Sequence, residues 1–453
     1  MADDKEEQQK SSKRTSWKPT RTSFVAETRQ EPKHEVHPTS EYEVKLPRKV
    51  PISSSRRPLV DILSHDELCS LCHNIPKIEL HAHLSGTVKE STLNELGRAK
   101  GLDISKMKFT LESLAATDSL EQTWKETVEA FDNIRKLTAY DLHVLRRIIN
   151  EAIEMYAEDG CVYLELRTGL KHLPDRKTFL SEVISTINLA QGKHGIIVRL
   201  LVSVDRGASV EDARETISIA IDAYESQSKG GGQRGGGVLV GVEMGGNPLR
   251  GNWDELRPLF QQARDAGMRV SLHFAENKGH EEEHEKILEF RPDRLGHAVF
   301  MSKKITDKVL NTKTPVEVCI TCHEAYYKVD RKKNVFGILK SHNHPAILCC
   351  DNACLLHTLL SKEWEVAIQT FKLTAEDVQH MVLDNVDAIF ADSVTKQKLR
   401  VQCENRLKSL FTKSEAPRAR KSGGGGWQSL LFLSLSAACL GGLYYLRVVK
   451  RAI

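Results

Sequence analysis

Four short stretches of this 453-residue chain carry side chains whose types and spacing could do chemistry. In PKIELHAHLSG (76–86) the apolar Ile78, Leu80 and Ala82 alternate with Glu79, His81 and His83. An extended strand sends alternate side chains to opposite faces, so imidazoles at i and i+2 point the same way. Such a pair can chelate a borderline metal ion. SLHFAE (271–276) adds His273 and Glu276, RLGHA (294–298) adds His297, and CCDN (349–352) adds Asp351 and Asn352. These types both bind a cation and move protons near neutral pH.

Only a scaffold that gathers distant segments could make one site of them. Short β-branched runs occur at 77–83, 161–167, 195–204, 238–244, 269–275, 293–297, 316–321 and 346–351. Between them lie amphipathic helical patterns, among them 139–157, 178–190, 210–224, 253–266 and 364–371. This alternation predicts an α/β chain folded as a (β/α)8 TIM barrel, with a helical insert over about 91–157 after the first strand. Barrel enzymes carry their chemistry where the strands end, at the carboxy-terminal face. The histidines and acids above fall at the predicted ends of strands one, five, six and eight.

These pieces, in this order and on these strands, resemble the adenosine and AMP deaminase family, and within it the adenosine-deaminase-like branch that hydrolyses N6-methyl-AMP. The resemblance runs from about residue 68 to 410. It implies a metal-dependent hydrolase barrel with one Zn2+ per chain, held by His81, His83, His273 and Asp351. Such an ion leaves a position for water and draws its pKa towards about 7. The resemblance makes Glu276 the proton donor to the purine ring, and gives His297 the task of orienting the water or accepting its proton. Asp351 is then both a metal ligand and a catalytic group. The implied reaction is hydrolytic deamination of a purine nucleoside or nucleoside monophosphate: N6-methyl-AMP or AMP to IMP, or adenosine to inosine.

The substrate shell follows in the same way: Gly246 and Asn352 at the purine, Asp205 as a ribose candidate, and His83 and Ser85 as further substrate-binding residues. Arg135 and Lys171 are candidates for the phosphate, and Thr168 is a further substrate-binding candidate. Three departures from the family pattern fall in this shell. Asn352 stands where a second acid is usual, and an amide donates a hydrogen bond without needing to be protonated. It is expected to alter affinity rather than abolish turnover. Ser85 replaces an Asn common in the AMP-type branch, and RTGLK (167–171) replaces a run that usually contains Pro. They leave open a second reading, a membrane-tethered purine-nucleotide-binding protein with a degenerate, weakly active site.

Charge and composition separate the barrel (61–412) from its flanks. Residues 1–60 carry a net charge of +4 and residues 413–453 of +6, which leaves the middle acidic and argues against a nucleic-acid surface. The first 60 residues read as a disordered arm. Residues 413–426 form a basic, glycine-rich linker, and 427–446 is a 20-residue run with seven Leu and no Asp, Glu, Lys, Arg or His. A helix of that length spans about 30 Å of hydrocarbon, so the run predicts a single-pass tail anchor. The basic tail 447–453 would then lie beyond the membrane and the barrel in the cytoplasm, the organelle being unspecified.

Three motifs are read as decoys. HEEEHEK (280–286) matches HExxH, yet its helix is charged on nearly every side and is expected to be solvated. Cys69–His73 and Cys319–His323 spell CxxCH without an export signal beside them, and the ten cysteines are expected to be free thiols. The glycine-rich 230–237 is read as a loop insertion.

Overall fold

A computed structural model describes residues 50–51, 56–103, 119–138, 141–229 and 236–412. The eight β-branched runs become parallel strands: β1 (Lys77–His83), β2 (Cys161–Gly169), β3 (Ile197–Asp205), β4 (Leu239–Gly245), β5 (Arg269–Phe274), β6 (Arg294–His297), β7 (Val316–Val318) and β8 (Ala346–Leu348). They are hydrogen-bonded in chain order in a single eight-stranded sheet. The seam is nearly closed. Ala82 bridges Asp351, and the Glu79 carboxylate accepts the Cys350 N–H at 2.8 Å.

Helices wrap the outside because their apolar stripes match the outward-facing strand residues. The described helices are α1 (His65–Asn74), α2 (Glu90–Ala99), α3 (Leu120–Thr138), α4 (Leu142–Glu158), α5 (Arg176–His194), α6 (Val210–Lys229) and α7 (Trp253–Asp265). They continue with α8 (Glu281–Phe290), α9 (Lys303–Thr312), α10 (Ile320–Tyr327), α11 (Val335–Ser341), α12 (Leu360–Phe371), α13 (Ala375–Ala388) and α14 (Ser393–Leu410). The insert after β1 comprises α2, α3 and α4.

Inside the strands, the lower barrel is ionic rather than apolar. Glu165, Arg167, Glu243, Arg294 and Glu317 are all fully buried. Glu317 Oε1 accepts from Arg294 Nε at 2.5 Å and Ser271 Oγ at 2.9 Å. Its Oε2 accepts from Arg167 Nη2 at 2.9 Å and His81 Nδ1 at 2.6 Å. Arg294 also pairs with Glu165. Buried charges persist only when paired and hydrogen-bonded in this manner.

Several boundaries differ from expectation. The runs 316–321 and 346–351 yield strands of three residues each. Cys319, expected inside a strand, caps α10 instead, and the Glu363 carboxylate accepts the Thr321 N–H at 3.2 Å. The barrel also starts before residue 61: Leu59 is fully buried and its N–H donates to Leu373 O at 2.9 Å. Val50–Pro51 pairs in parallel with Phe411–Thr412. α8 is not solvated all round, since His284, Ile287, Leu288 and Phe290 are buried. His284 packs on Phe274 with ring centroids 5.3 Å apart, whereas His280 is exposed, so the HExxH pair does not converge. The nine described cysteines are all free.

The rest of the arm (1–49 and 52–55), residues 230–235 of the glycine-rich loop, the linker 413–426, the apolar run 427–446 and the tail 447–453 lie outside the described residues. Among the described residues, no helix is long and apolar enough to cross a membrane.

Candidate active site

The strand ends bring the sequence-predicted residues to one mouth of the barrel. His81 and His83 come from the end of β1, His273 from β5, His297 from the last position of β6, and Asp351 from just past β8. His83 Nε2 lies 3.3 Å from His273 Nε2 and 3.4 Å from Asp351 Oδ1, and His81 Nε2 lies 3.7 Å from the same oxygen. Around a tetrahedral ion with bonds near 2.0–2.1 Å, neighbouring donor atoms sit roughly 3.3–3.5 Å apart. The set therefore fits one metal ion. His297 lies beside this set, with His81, His273 and His297 each offering a nitrogen within 4.8 Å of the others.

Carboxylates behind the imidazoles turn their outer nitrogens toward the cluster. Glu317 Oε2 holds His81 Nδ1, and Glu243 Oε2 sits 3.1 Å from His273 Nδ1. Burial and the nearby Arg167 cation drive the His81 pKa down to about 3, keeping that ring neutral. Burial opposes charge on His273 as well, but Glu243 outweighs it and raises the pKa to about 9. Asp351 is pushed up to about 6, chiefly by burial.

Backbone strain marks the same places. His297 (φ 65°), Asp351 (φ 63°) and Ala275 (φ 53°), the residue before Glu276, occupy the left-handed region that non-glycine residues avoid. Each costs of order 1–3 kcal/mol, and such positions concentrate at sites where geometry is functional. Gly246 (φ 102°) is obligatory, because a Cβ there would meet Asp205 Oδ1 at 2.3 Å.

A cavity of about 490 Å³ opens over the cluster, ample for a nucleotide-sized ligand. Every residue expected to touch substrate lines it: His83, Ser85, Arg135, Thr168, Lys171, Asp205, Gly246 and Asn352. Lys171 makes no side-chain hydrogen bond or ion pair within the described residues, whereas Arg135 pairs with Asp132 at 2.8 Å. Asn352 is buried and packs on Gly86 so closely that a Cβ at 86 would lie 2.0 Å from Asn352 Oδ1.

At the floor of the cavity stands Glu276, nearly inaccessible to solvent. The Tyr327 hydroxyl donates to its Oε1 at 2.5 Å, while Oε2 has no partner among the described residues. Burial raises the Glu276 pKa, against the pull of His273 and Tyr327. The carboxyl is thus held by one oxygen with the other unpartnered among the described residues, and burial favours its protonated form, an arrangement suited to delivering a proton.

Sequence reasoning missed Tyr327, and also Trp124, Phe131, Tyr326 and Arg250 in the wall. Trp124, Thr127, Phe131 and Arg135 recur at helical spacing along α3, so one face of the insert roofs the cavity, with Trp124 stacked on Tyr326 at 5.9 Å. Glu243 and Glu317 were also missed, although an acid inside an apolar parallel strand (LVGVEMG and VEV) is a legible signal of a buried charge.

Comparison with known proteins agrees with this geometry. An N6-mAMP deaminase of Arabidopsis thaliana is 31% identical over 354 residues, covering 72% of this chain and 96% of that protein. The N6-Methyl-AMP deaminase of Homo sapiens is 29% identical, covering 72% and 92%. Among solved structures, an Arabidopsis ADAL protein complexed with IMP aligns with a TM-score of 0.66 at 30% identity, over 75% of this chain and 99% of that one. Residues 76–405 match the Adenosine deaminase family, so a barrel whose strand ends gather four histidines, an aspartate and a buried glutamic acid at one mouth is an enzyme that belongs to that family.

Proposed function

We propose that this enzyme hydrolyses the exocyclic amine from a purine nucleoside monophosphate, with N6-methyl-AMP as the favoured substrate, at a Zn2+ ion held by His81, His83, His273 and Asp351. Its relatives named N6-methyl-AMP deaminases support the substrate class. The observation that carries the reading is Glu276, a buried acid with a raised pKa that lines the cavity beside the histidine cluster and has one oxygen without a partner among the described residues. A protein that only bound nucleotide would have no use for a proton donor there.

When bound, the ion would supply Lewis acidity and bring the pKa of a water towards about 7. Glu276 Oε2 gives its proton to a purine ring nitrogen as the carbon bearing the amine is attacked. Gly246 allows the purine to approach the backbone, Asp205 takes the ribose, and the α3 roof excludes bulk water. Lys171 and Arg135, both lining the cavity, hold the phosphate.

The test is release of methylamine or ammonia from N6-methyl-AMP, AMP and adenosine, with zinc present and after chelation. Release from the monophosphates that stops on chelation and returns with Zn2+ is expected; no release from any of the three by zinc-loaded protein would sink the reading. In the same assay, Lys171→Ala should raise KM for the monophosphates about 10- to 100-fold, the worth of one charge-assisted hydrogen bond, and leave adenosine unaffected.

Residues 427–446 are proposed to tether the barrel to a membrane from its cytoplasmic side. Deleting 423–453 should move the protein to the soluble fraction. Its persistence with membranes would remove the anchor.

A further inference from the structure

Behind His297 lies a chain of side chains that the reaction outlined above does not use. Asn334 Oδ1 accepts the Phe336 N–H at 3.0 Å and so caps α11. That cap fixes which end of the amide is oxygen, and it leaves the Nδ2 hydrogens facing His323 Nδ1 at 3.0 Å. An amide nitrogen can only donate, so His323 Nδ1 must accept. His323 is fully buried, and burial drives its pKa down to about 3, so the ring is neutral. A neutral imidazole with a bare Nδ1 carries its hydrogen on Nε2. That Nε2 faces His297 Nδ1 at 3.3 Å, which accepts in turn. His297 is left with its own hydrogen on Nε2, the atom turned toward Glu276 Oε1 at 3.9 Å.

We propose that Asn334 and His323 are positioning residues that fix His297 as its Nε2–H tautomer, so that His297 donates a hydrogen bond to the attacking water and does not accept its proton. The proposal rests on the deaminase reading and deepens it. Of the two roles the resemblance left to His297, orienting the water is retained. The acceptor for the water's proton is then Asp351, whose carboxylate lies within 4.8 Å of a His297 nitrogen. His323 and Tyr327 stand one turn apart on α10. One face of that short helix therefore sets the hydrogen positions of both His297 and Glu276.

Asn334→Asp tests the relay, because Asp caps a helix as well as Asn does while reversing the polarity of the contact with His323. Imidazole 15N shifts of the full chain with zinc added should show His297 protonated on Nε2 in the native protein and on Nδ1 in the variant. Exchanging acid and amide behind a catalytic histidine can cost up to about 10⁴ in rate; here kcat should fall roughly 10²-fold with KM and melting temperature nearly unchanged. A role confined to capping α11 predicts no change in kcat. A native His297 protonated on Nδ1, a tautomer indifferent to the exchange, or an inverted tautomer at full turnover each overturns the proposal. Absence of amine release by the native chain would overturn the deaminase reading, and the relay's polarity would still be decided by the shifts alone.

Discussion

Glu276→Gln lowers kcat by about 10²–10⁴ while KM and zinc content stay close to those of the native enzyme. The amide matches the carboxyl in shape and can still accept the Tyr327 hydroxyl bond, so the cavity floor is preserved. What it loses is a proton it can release to the purine ring. Burial raises the Glu276 pKa and so favours the form that carries that proton. Single-turnover measurement of amine release separates this loss from a binding defect. Native kcat in the variant would show that the proton comes from another group and would remove Glu276 from the mechanism.

Glu317→Ala is expected to be the most destabilising exchange in the barrel, at about 3–5 kcal/mol. Its carboxylate is shared by Arg167, Arg294, His81 and Ser271, all fully buried. The two arginines pull the Glu317 pKa far below the usual carboxylate range in spite of burial. Removing the acid leaves Arg294 with Glu165 alone and Arg167 with Glu243 at 3.6 Å, one counter-charge short in a place water cannot reach. It also frees His81 Nδ1, so zinc affinity should fall about 10- to 100-fold in the protein that still folds. Urea unfolding gives the first quantity and a competitive zinc titration the second. An unchanged midpoint would mean that the network carries no net stability, and unchanged affinity that His81 does not depend on its partner.

The two effects differ in kind because the site is built in tiers. Glu276 faces the cavity, and its replacement touches only the chemistry. Glu317 lies beneath the histidines, where the ion pairs that stabilise the barrel also orient His81. Here stability and function share the same side chains.

The alternation in 76–83 by itself places His81 and His83 on one face, because the two-residue period of a strand is a local property. Counting β-branched runs likewise sufficed for eight strands and for the positions of His273, Glu276, His297 and Asp351 at strand ends. The last two strands are shorter than these runs suggest, since 319–320 and 349–350 are as apolar as the strand residues before them and nothing local reveals that Glu363 receives the Thr321 N–H at the start of a helix.

What only the tertiary structure decided are the relations between segments that are remote in the chain. The α3 roof, the carboxylates behind His81 and His273, the Tyr327 contact on Glu276 and the line from Asn334 to His297 join residues as many as 236 positions apart. The left-handed backbone at His297 and Asp351 is unfavourable on its own and holds only because the closed barrel leaves no alternative. Residue type and period determined which groups reach the mouth of the barrel. Packing and hydrogen-bond polarity determined which oxygen of Glu276 is free and which nitrogen of His297 carries the hydrogen, because a proton's position is set by its neighbours in space.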